Sequence, residues 1–318
     1  MCQAINNQEE KKIQNIAKEK FQIIGIENDG VESASRPSIG YFQDAWRRFR
    51  KNKIATVALI VLAIIVFMVI FGPGISGYAF EQIDEGAINL APCKEHWFGT
   101  DKLGRDIFAR VWIAGRVSLT IGIIGALLSA VIGCLYGGIA AYFGGIVDDI
   151  MMRIVEILIS VPYLIVVIVL SLVLGGGGMF SLILAMTITG WCGTARMVRA
   201  QMLTIKNEEY VLAAKALGVK PSKIITRHMI PNTLSTVIVA ITFDIPGYIF
   251  SEAFLSYIGL GIQPPNTSWG ALASAAQAQM TFYPTQLFFP AGMIALTMLC
   301  FTLIGDGLRD ALDPKLRK

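Results

Sequence analysis

The stretch EYVLAAKALGVKPSKIITRHMIPN, residues 209–232, is a polar segment between two of the most apolar parts of the chain. Gly218 in its middle is typical of the left-handed end of a helix, and Pro221 suits the first turn of the next one. The pattern predicts two short helices, with Asn207 as the N-cap of the first and Pro231 as the end of the second. Such a protruding helix-turn-helix with small residues at its tip is typical of a loop that a soluble protein grips.

The chain around this polar loop is strongly apolar. Its 318 residues are 54% hydrophobic and only 16% charged, and the mean hydropathy is +0.59. The apolar residues fall in long blocks, which is the pattern of a chain that crosses a membrane several times. The predicted fold class is an all-α integral membrane protein with six transmembrane helices.

Each predicted span is long enough to cross a hydrocarbon core of roughly 30 Å. The charge-free run 157–195 is too long for one crossing, and the glycines at 175–178 are expected to divide it into spans three and four. Asp244 and the Pro246-Gly247 pair are expected to interrupt the fifth span. The other spans are predicted at 54–71, 117–143, 234–250 and 287–304.

The basic residues predict how the spans are oriented, because cytoplasmic segments carry an excess of Lys and Arg. If both termini are cytoplasmic, all but five of the 27 Lys and Arg residues lie inside. The five outside are Lys94, Lys102, Arg105, Arg110 and Arg116. Since the cations cluster beside spans without interleaved aromatic residues, nucleic-acid binding is not expected.

The predicted spans divide the chain into regions. Residues 1–53 are expected to be a cytoplasmic tail, loosely ordered over 1–36, that ends in an amphipathic basic helix on the inner leaflet. The span 54–71 is followed by an extracellular loop, 72–116, whose end from Arg105 onward is an interfacial helix or a docking surface. A core, 117–305, contains the polar loop 207–232 and precedes a cytoplasmic tail, 306–318.

The outer segment that follows Glu252 is free of Lys and Arg as far as residue 286. Pro264-Pro265 precedes a possible helix that begins near Trp269. The segment either dips into the membrane as a gate or forms a plain extracellular loop, and its periodicity does not decide between them.

Residues that could perform catalysis are not grouped in this sequence. No G-x-x-x-x-G-K-[S/T] phosphate loop occurs, so the chain itself is not expected to hydrolyse ATP. The only histidines are His96 and His228, and the cysteines are scattered, so neither a metal site nor a Ser-His-Asp triad is expected. Asp244, within the fifth span, is a candidate for a translocation path, since a carboxylate within a span usually faces a cavity or a partner. Glu252, at the start of the outer segment after that span, is the second candidate. For Asp244, the alternatives are burial against another subunit and a position nearer the membrane edge than the predicted span implies.

The segment LAAKALG, residues 212–218, and the later MIP, residues 229–231, resemble the EAA loop of permease subunits in type-1 ATP-binding-cassette (ABC) importers. Leu212 departs from the Glu of that family and His228 from its usual Ile, whereas Ala213, Ala214, Gly218 and Pro231 are in register. RPSIGYFQDAWRRFRKNKIA, EHWFGTDKLGRDIFARV and EAFLSYIGLGIQPPNTSWG are similar to segments of the C-type permease in the oligopeptide, dipeptide and nickel branch. The resemblance covers roughly residues 36–318.

This resemblance implies one half of a heterodimeric pore with the type-1 ABC importer permease fold in a bacterial cell membrane. The expected partners are a second permease subunit, two ATP-binding subunits that use ATP and Mg²⁺, and an extracellular substrate-binding protein. The chain itself is expected to bind no cofactor. The residues expected to couple it to the ATP-binding subunits are Glu209, Tyr210, Ala213, Ala214, Lys215, Gly218 and Pro231.

The expected substrate is an oligopeptide or dipeptide, and nickel or another small solute is the alternative within the same branch. A self-contained secondary transporter is the alternative from a different class. It would usually show an internal repeat and more charge within the membrane. A receptor-like signalling subunit is a third alternative, and it would carry a folded cytoplasmic output domain.

Overall fold

A computed structural model describes residues 40–313 of the chain, except residue 177. The tail predicted at 1–36 and the last residues of the tail 306–318 lie outside the described residues. Over the described part, the chain is nearly all helical and contains no β-strand. Five helices in this part are long and apolar enough to cross a membrane, and a bent helix pair makes a sixth if it counts as one span. The predicted all-α membrane fold with six spans is confirmed.

We number the helices of the described region α1 to α10. They are α1 (Tyr41–Phe49), α2 (Lys53–Ile75), α3 (Ile107–Phe143), α4 (Gly145–Ser160), α5 (Tyr163–Val173), α6 (Met179–Ile205), α7 (Glu209–Ala216), α8 (Pro221–Tyr257), α9 (Trp269–Gln277) and α10 (Pro284–Leu312). One end of the helix bundle carries residues 206–220 and is called the polar-loop end. The opposite end carries residues 76–106 and 258–283 and is called the long-loop end.

The basic helix predicted before the first span is present as α1. Its Phe49 is only 2% exposed, and the ring lies beside Gly307 of α10. Trp46 stacks on Phe49 with ring centroids 5.8 Å apart and stays half-exposed. The end of α1 is therefore packed against the bundle as well as being amphipathic.

The predicted interfacial helix is not a separate element. Residues 107–116 form the first turns of α3, which runs for 37 residues without a break. No proline interrupts it, and Asp106 caps its start by accepting a hydrogen bond from the Ala109 amide at 2.7 Å. Arg116 donates to the Val69 carbonyl at 2.9 Å. That carbonyl is available because Pro73, four residues later in α2, has no N–H.

The third span, predicted from Ile157 onward, is formed by two helices. Helices α4 and α5 meet at an angle of 87°. Val161, which precedes Pro162, adopts an extended backbone, as expected because proline disfavours helical geometry in the residue before it. The predicted turn between spans three and four is confirmed, with Gly175 at φ +100° and Gly176 at φ +59°.

The fifth span also differs from the prediction, because α8 is continuous where breaks were expected. Pro231 does not end the second short helix, and Pro246 lies inside α8 without interrupting it. A π-helical segment, Ile224–Met229, precedes Pro231, and the Ile230 amide donates to the Ile225 carbonyl five residues back. The wider turn removes the need for an α-helical hydrogen bond from Pro231. The helix that was expected at 234 therefore begins at Pro221.

The packing is tightest where α3 crosses α6. A Cβ added at Gly133 would lie 2.7 Å from the Cβ of Thr194, and one at Gly137 would meet the backbone of Ala195. The absence of side chains at these two positions lets the helix backbones approach closely, as in other membrane helix pairs. Helix α8 packs on α3 and α10, and α2 lies against α3 and α10.

Candidate functional site: the polar loop and the membrane groove

Helix α7 presents one buried and one exposed face at the polar-loop end. Val211 and Ala214 are buried against a cluster that includes Ile224 and Met229. Leu212, Ala213 and Lys215 are exposed. This arrangement fixes the helix to the bundle through two apolar side chains and leaves a surface of small and basic groups free.

The turn after α7 forms as the glycine pattern predicts. Gly218 has φ +73°, its amide donates to the Lys215 carbonyl, and the Val219 amide donates to the Ala214 carbonyl, both at 3.1 Å. Only glycine adopts this backbone without a steric cost. Leu217, directly before it, is 83% exposed. An apolar side chain projects from the tip of the loop as a result.

The start of α7 differs from the prediction. The helix begins at Glu209, and its N-cap is Glu208, whose side chain makes no capping hydrogen bond. Asn207 is not the cap, because its backbone still belongs to the turn that closes α6 and donates to Thr204 O at 3.3 Å. Glu208 at the N-cap and Glu209 in the first turn both lie where the helix dipole favours negative charge.

Tyr210 connects α7 to the following helix. Its hydroxyl accepts a hydrogen bond from Asn232 Nδ2 at 2.9 Å. Burial and the neighbouring Glu208 carboxylate raise the pKa of the Tyr210 phenol above its ordinary value, so it remains a neutral hydroxyl at physiological pH. Pro231 lies next to this contact within α8.

The polar loop is also joined to the spans behind it. Lys206 Nζ donates to the Ala141 carbonyl near the end of α3 at 3.1 Å. A Cβ at Gly138 of α3 would lie 3.2 Å from both Ile225 and Met202. The ends of α6 and α8 therefore pack directly on α3 beside the polar loop.

A groove of about 490 Å³ lies within the spans, where the bend between α4 and α5 faces α6 and α8. Asp244 of α8 lines it and interacts with the Thr194 side chain of α6. Tyr163, Thr189 and Tyr248 also line the groove, and the Tyr248 hydroxyl hydrogen-bonds Ser129. The carboxylate predicted for a translocation path does reach a cavity.

Glu252 lies apart from this groove. It is fully buried, and its carboxyl group accepts hydrogen bonds from Ser118 Oγ at 2.8 Å and Ser256 Oγ at 2.7 Å. The Trp269 amide donates to Ser118 Oγ at 3.2 Å. Glu252 thus joins α3, α8 and the start of α9, and the structure does not bring it together with Asp244.

Several residues of the groove and loop were missed by the sequence reasoning. Tyr163 and Tyr248 read as ordinary apolar-span residues, and only the 87° bend places them in one groove. The sequence did contain a signal for the exposure of Leu217, because it is a large apolar residue beside a turn glycine in a polar segment.

The comparisons with known proteins agree with this architecture. A family model described as "binding-protein-dependent transport system inner membrane component" matches residues 131–318. A second, described as the "N-terminal TM domain of oligopeptide transport permease C", matches residues 40–92. A structure of the MetNI methionine ABC transporter in inward-facing conformations shares the fold, with a TM-score of 0.50, 21% identity, and coverage of 64% of this chain and 94% of that chain.

The fold is that of a membrane permease subunit of an ABC importer. The chain belongs to the family of binding-protein-dependent transport system inner membrane components and, within it, to the OppC/DppC type. It is a multi-pass, pore-forming membrane subunit and not an enzyme. The secondary-transporter and signalling-subunit alternatives are not retained, because this family works with ATP-hydrolysing and binding-protein partners.

Curated relatives match almost the full chain. The oligopeptide transport system permease protein OppC of Bacillus subtilis (strain 168) is 48% identical over 306 residues, which is 96% of this chain and 100% of that protein. The dipeptide transport system permease protein DppC of the same organism is 48% identical over 301 residues, 94% of each chain. The glutathione transport system permease protein GsiD of Escherichia coli O6:K15:H31 is 39% identical over 277 residues, 87% of this chain and 91% of that protein.

Proposed function

We propose that this chain forms one half of the translocation path of an importer for oligopeptides or dipeptides. The relatives with 48% identity are named as oligopeptide and dipeptide permeases, and the relative with 39% identity is named for glutathione, itself a short peptide. These names support a peptide substrate. Nickel is not favoured by any observation on the described residues.

The observation that carries the mechanism is the exposed tip of the polar loop. One face of α7 and the Leu217 side chain are solvent-exposed, yet Val211, Ala214 and Lys206 fix the loop to the ends of three long helices. We propose that an ATP-binding subunit holds this tip. Two such subunits bind ATP and Mg²⁺, and their closure pulls the loop and tilts α3, α6 and α8 between inward-open and outward-open states.

The groove beside Asp244 is proposed to face the second permease subunit, so that the two chains enclose the path between them. The distribution of Lys and Arg supports cytoplasmic termini, with the polar-loop end in the cytoplasm. The long-loop end then lies outside, where the substrate-binding protein docks. Substrate selection falls mainly to that binding protein, and Asp244 offers one negative charge to a passing peptide ammonium group.

Copurification tests this proposal. The wild-type chain is expressed with its partner subunits, and Gly218→Glu is compared with Gly218→Asn, because Asn tolerates a positive φ and Glu does not. We expect the ATP-binding subunits to copurify with wild type and Gly218→Asn, and to be lost or uncoupled with Gly218→Glu. A wild-type chain that purifies alone and transports peptide into liposomes without ATP would overturn the proposal.

A further inference from the structure

A small cavity at the long-loop end contains an unusual concentration of positive charge. It has a volume of about 30 Å³ and lies where the start of α3 meets α9 and α10. Its polar lining residues are Asp101, Lys102, Arg105, Arg110 and Gln286. Three of these five side chains are cationic and one is anionic, so the lining carries an excess of positive charge.

Arg110 is the most deeply buried of these cations. It is only 7% exposed, and its guanidinium carbon lies 4.9 Å from the centre of the Phe80 ring. Its Nη1 atom is buried and has no hydrogen-bond partner within residues 40–313. A buried guanidinium group is costly unless its charge is paired and its N–H groups are bonded.

Asp101 is the carboxylate nearest to Arg110, and both of its oxygens already accept hydrogen bonds from other groups. Its Oδ1 accepts from the Leu103 amide at 2.8 Å and the Arg105 amide at 3.0 Å. Its Oδ2 accepts from Arg105 at 2.8 Å through Nε and 2.7 Å through Nη2. Arg110 Nε lies farther away, at 3.7 Å from the same oxygen. Asp101 therefore neutralises Arg105 first and Arg110 only weakly.

The neutral polar side chain in the cavity, that of Gln286, also has hydrogen-bond partners already. Gln286 donates from Nε2 to Asn89 Oδ1 at 2.8 Å and to the Thr100 carbonyl at 3.0 Å. The remaining walls are the apolar residues Ile107, Leu272, Ala275, Ala276 and Pro290. Apolar walls lower the local dielectric and strengthen the attraction of Arg110 for a negative charge.

We propose that this cavity binds a small monovalent anion of the size of chloride, held by Nη1 of Arg110. A cavity of about 30 Å³ holds one or two water-sized particles, so an ion of the size of chloride fits. The bound anion completes the charge balance of Arg110. It also holds the segment 101–105 against α9 and α10, which fixes the long-loop end.

Hydrogen exchange tests the site in the assembled importer. Exchange of the backbone amides of residues 101–110 is measured by mass spectrometry in chloride and in gluconate, an anion too large for the cavity, at equal ionic strength. We expect several-fold slower exchange in chloride, because an anion that binds only the closed state stabilises it. In crystals grown with bromide, we expect anomalous density within hydrogen-bonding distance of Arg110 Nη1.

Variants separate this site from general salt effects. Arg110→Gln removes the charge, and Ala276→Val fills the cavity while leaving every charge in place; both are expected to abolish the chloride dependence. Arg116→Gln, on the same helix but bonded to the Val69 and Ile70 carbonyls, is expected to retain it. Equal exchange in the two anions, a chloride effect that persists in Arg110→Gln, or density for water alone in the cavity would each overturn the proposal. None of these outcomes depends on peptide transport.

Discussion

Arg199 donates hydrogen bonds from Nε and Nη2 to the two carboxylate oxygens of Asp148, each at 2.5 Å. The pair joins the end of α6 to the start of α4 at the polar-loop end of the bundle. Asp148 is 7% exposed. A bidentate pair of this kind defines both the distance and the angle between the two helices.

Asp148→Ala is therefore expected to lower the free energy of unfolding by about 2 kcal/mol, because it leaves the Arg199 guanidinium without its charged acceptor. Thermal unfolding of the purified protein in lipid nanodiscs measures this. The matched control is Arg153→Ala, which removes an exposed ion pair to Glu156 and is expected to change stability by less than about 0.5 kcal/mol. Equal effects of the two changes would mean that the Asp148–Arg199 pair adds no more stability than an exposed ion pair.

Gly137→Ala is expected to destabilise the α3–α6 contact by about 1–3 kcal/mol, because the added Cβ meets the backbone of Ala195 and the helices must move apart. Gly292→Ala in α10 has open space around its Cβ, and it is expected to be neutral or stabilising by up to about 1 kcal/mol through helix propensity. Chemical denaturation in mild detergent measures both. A tolerated Gly137→Ala would contradict the close packing.

Leu217→Asp is expected to leave the stability of the chain within about 0.5 kcal/mol of wild type, since the side chain is 83% exposed. It is also expected to reduce peptide-stimulated ATP hydrolysis in the assembled importer several-fold, because an apolar contact with the ATP-binding subunit is lost. Leu217→Met, which keeps an apolar side chain at the same exposed position, is the control and should retain coupled hydrolysis. Full coupling in Leu217→Asp would remove this residue from the contact.

Asp244→Asn is expected to slow peptide uptake while assembly and basal ATP hydrolysis stay at wild-type levels, since the carboxylate faces the groove and is not part of the polar loop. Asp149→Asn, on the exposed side of α4, should leave uptake unchanged. The measurement is uptake of a labelled peptide by proteoliposomes. Normal uptake by Asp244→Asn would show that the residue serves packing against another subunit.

Glu252→Ala is expected to cost about 2 kcal/mol of stability, because the Ser118 and Ser256 hydroxyls lose their buried acceptor. Glu252→Gln keeps one amide oxygen as an acceptor and should recover part of that loss. Thermal unfolding separates the two variants. If both changes leave stability unaltered and slow peptide uptake instead, Glu252 belongs to the translocation path as first expected.

The sequence by itself determined the features that depend on local chemistry. The long apolar blocks predicted the spans, because length and hydrophobicity alone decide whether a segment can cross a bilayer. Gly218 and Gly175-Gly176 predicted turns, because a positive φ is costly for other residues. The spacing of Ala213, Ala214 and Gly218 predicted a projecting polar loop, and Ala213 and Gly218 are exposed at that end of the bundle.

The tertiary structure decided the features that depend on contacts between residues far apart in the sequence. Pro231 and Pro246 suggested breaks in the helix, yet α8 runs through both. The preceding π-helical turn accommodates Pro231, and the surrounding helices support the backbone of α8 at Pro246. Asp244 and Glu252 were both candidates for the translocation path. One reaches a groove and the other is enclosed by serine hydroxyls, since the bend at Pro162 and the packing of α9 bring residues far apart in sequence to each of them.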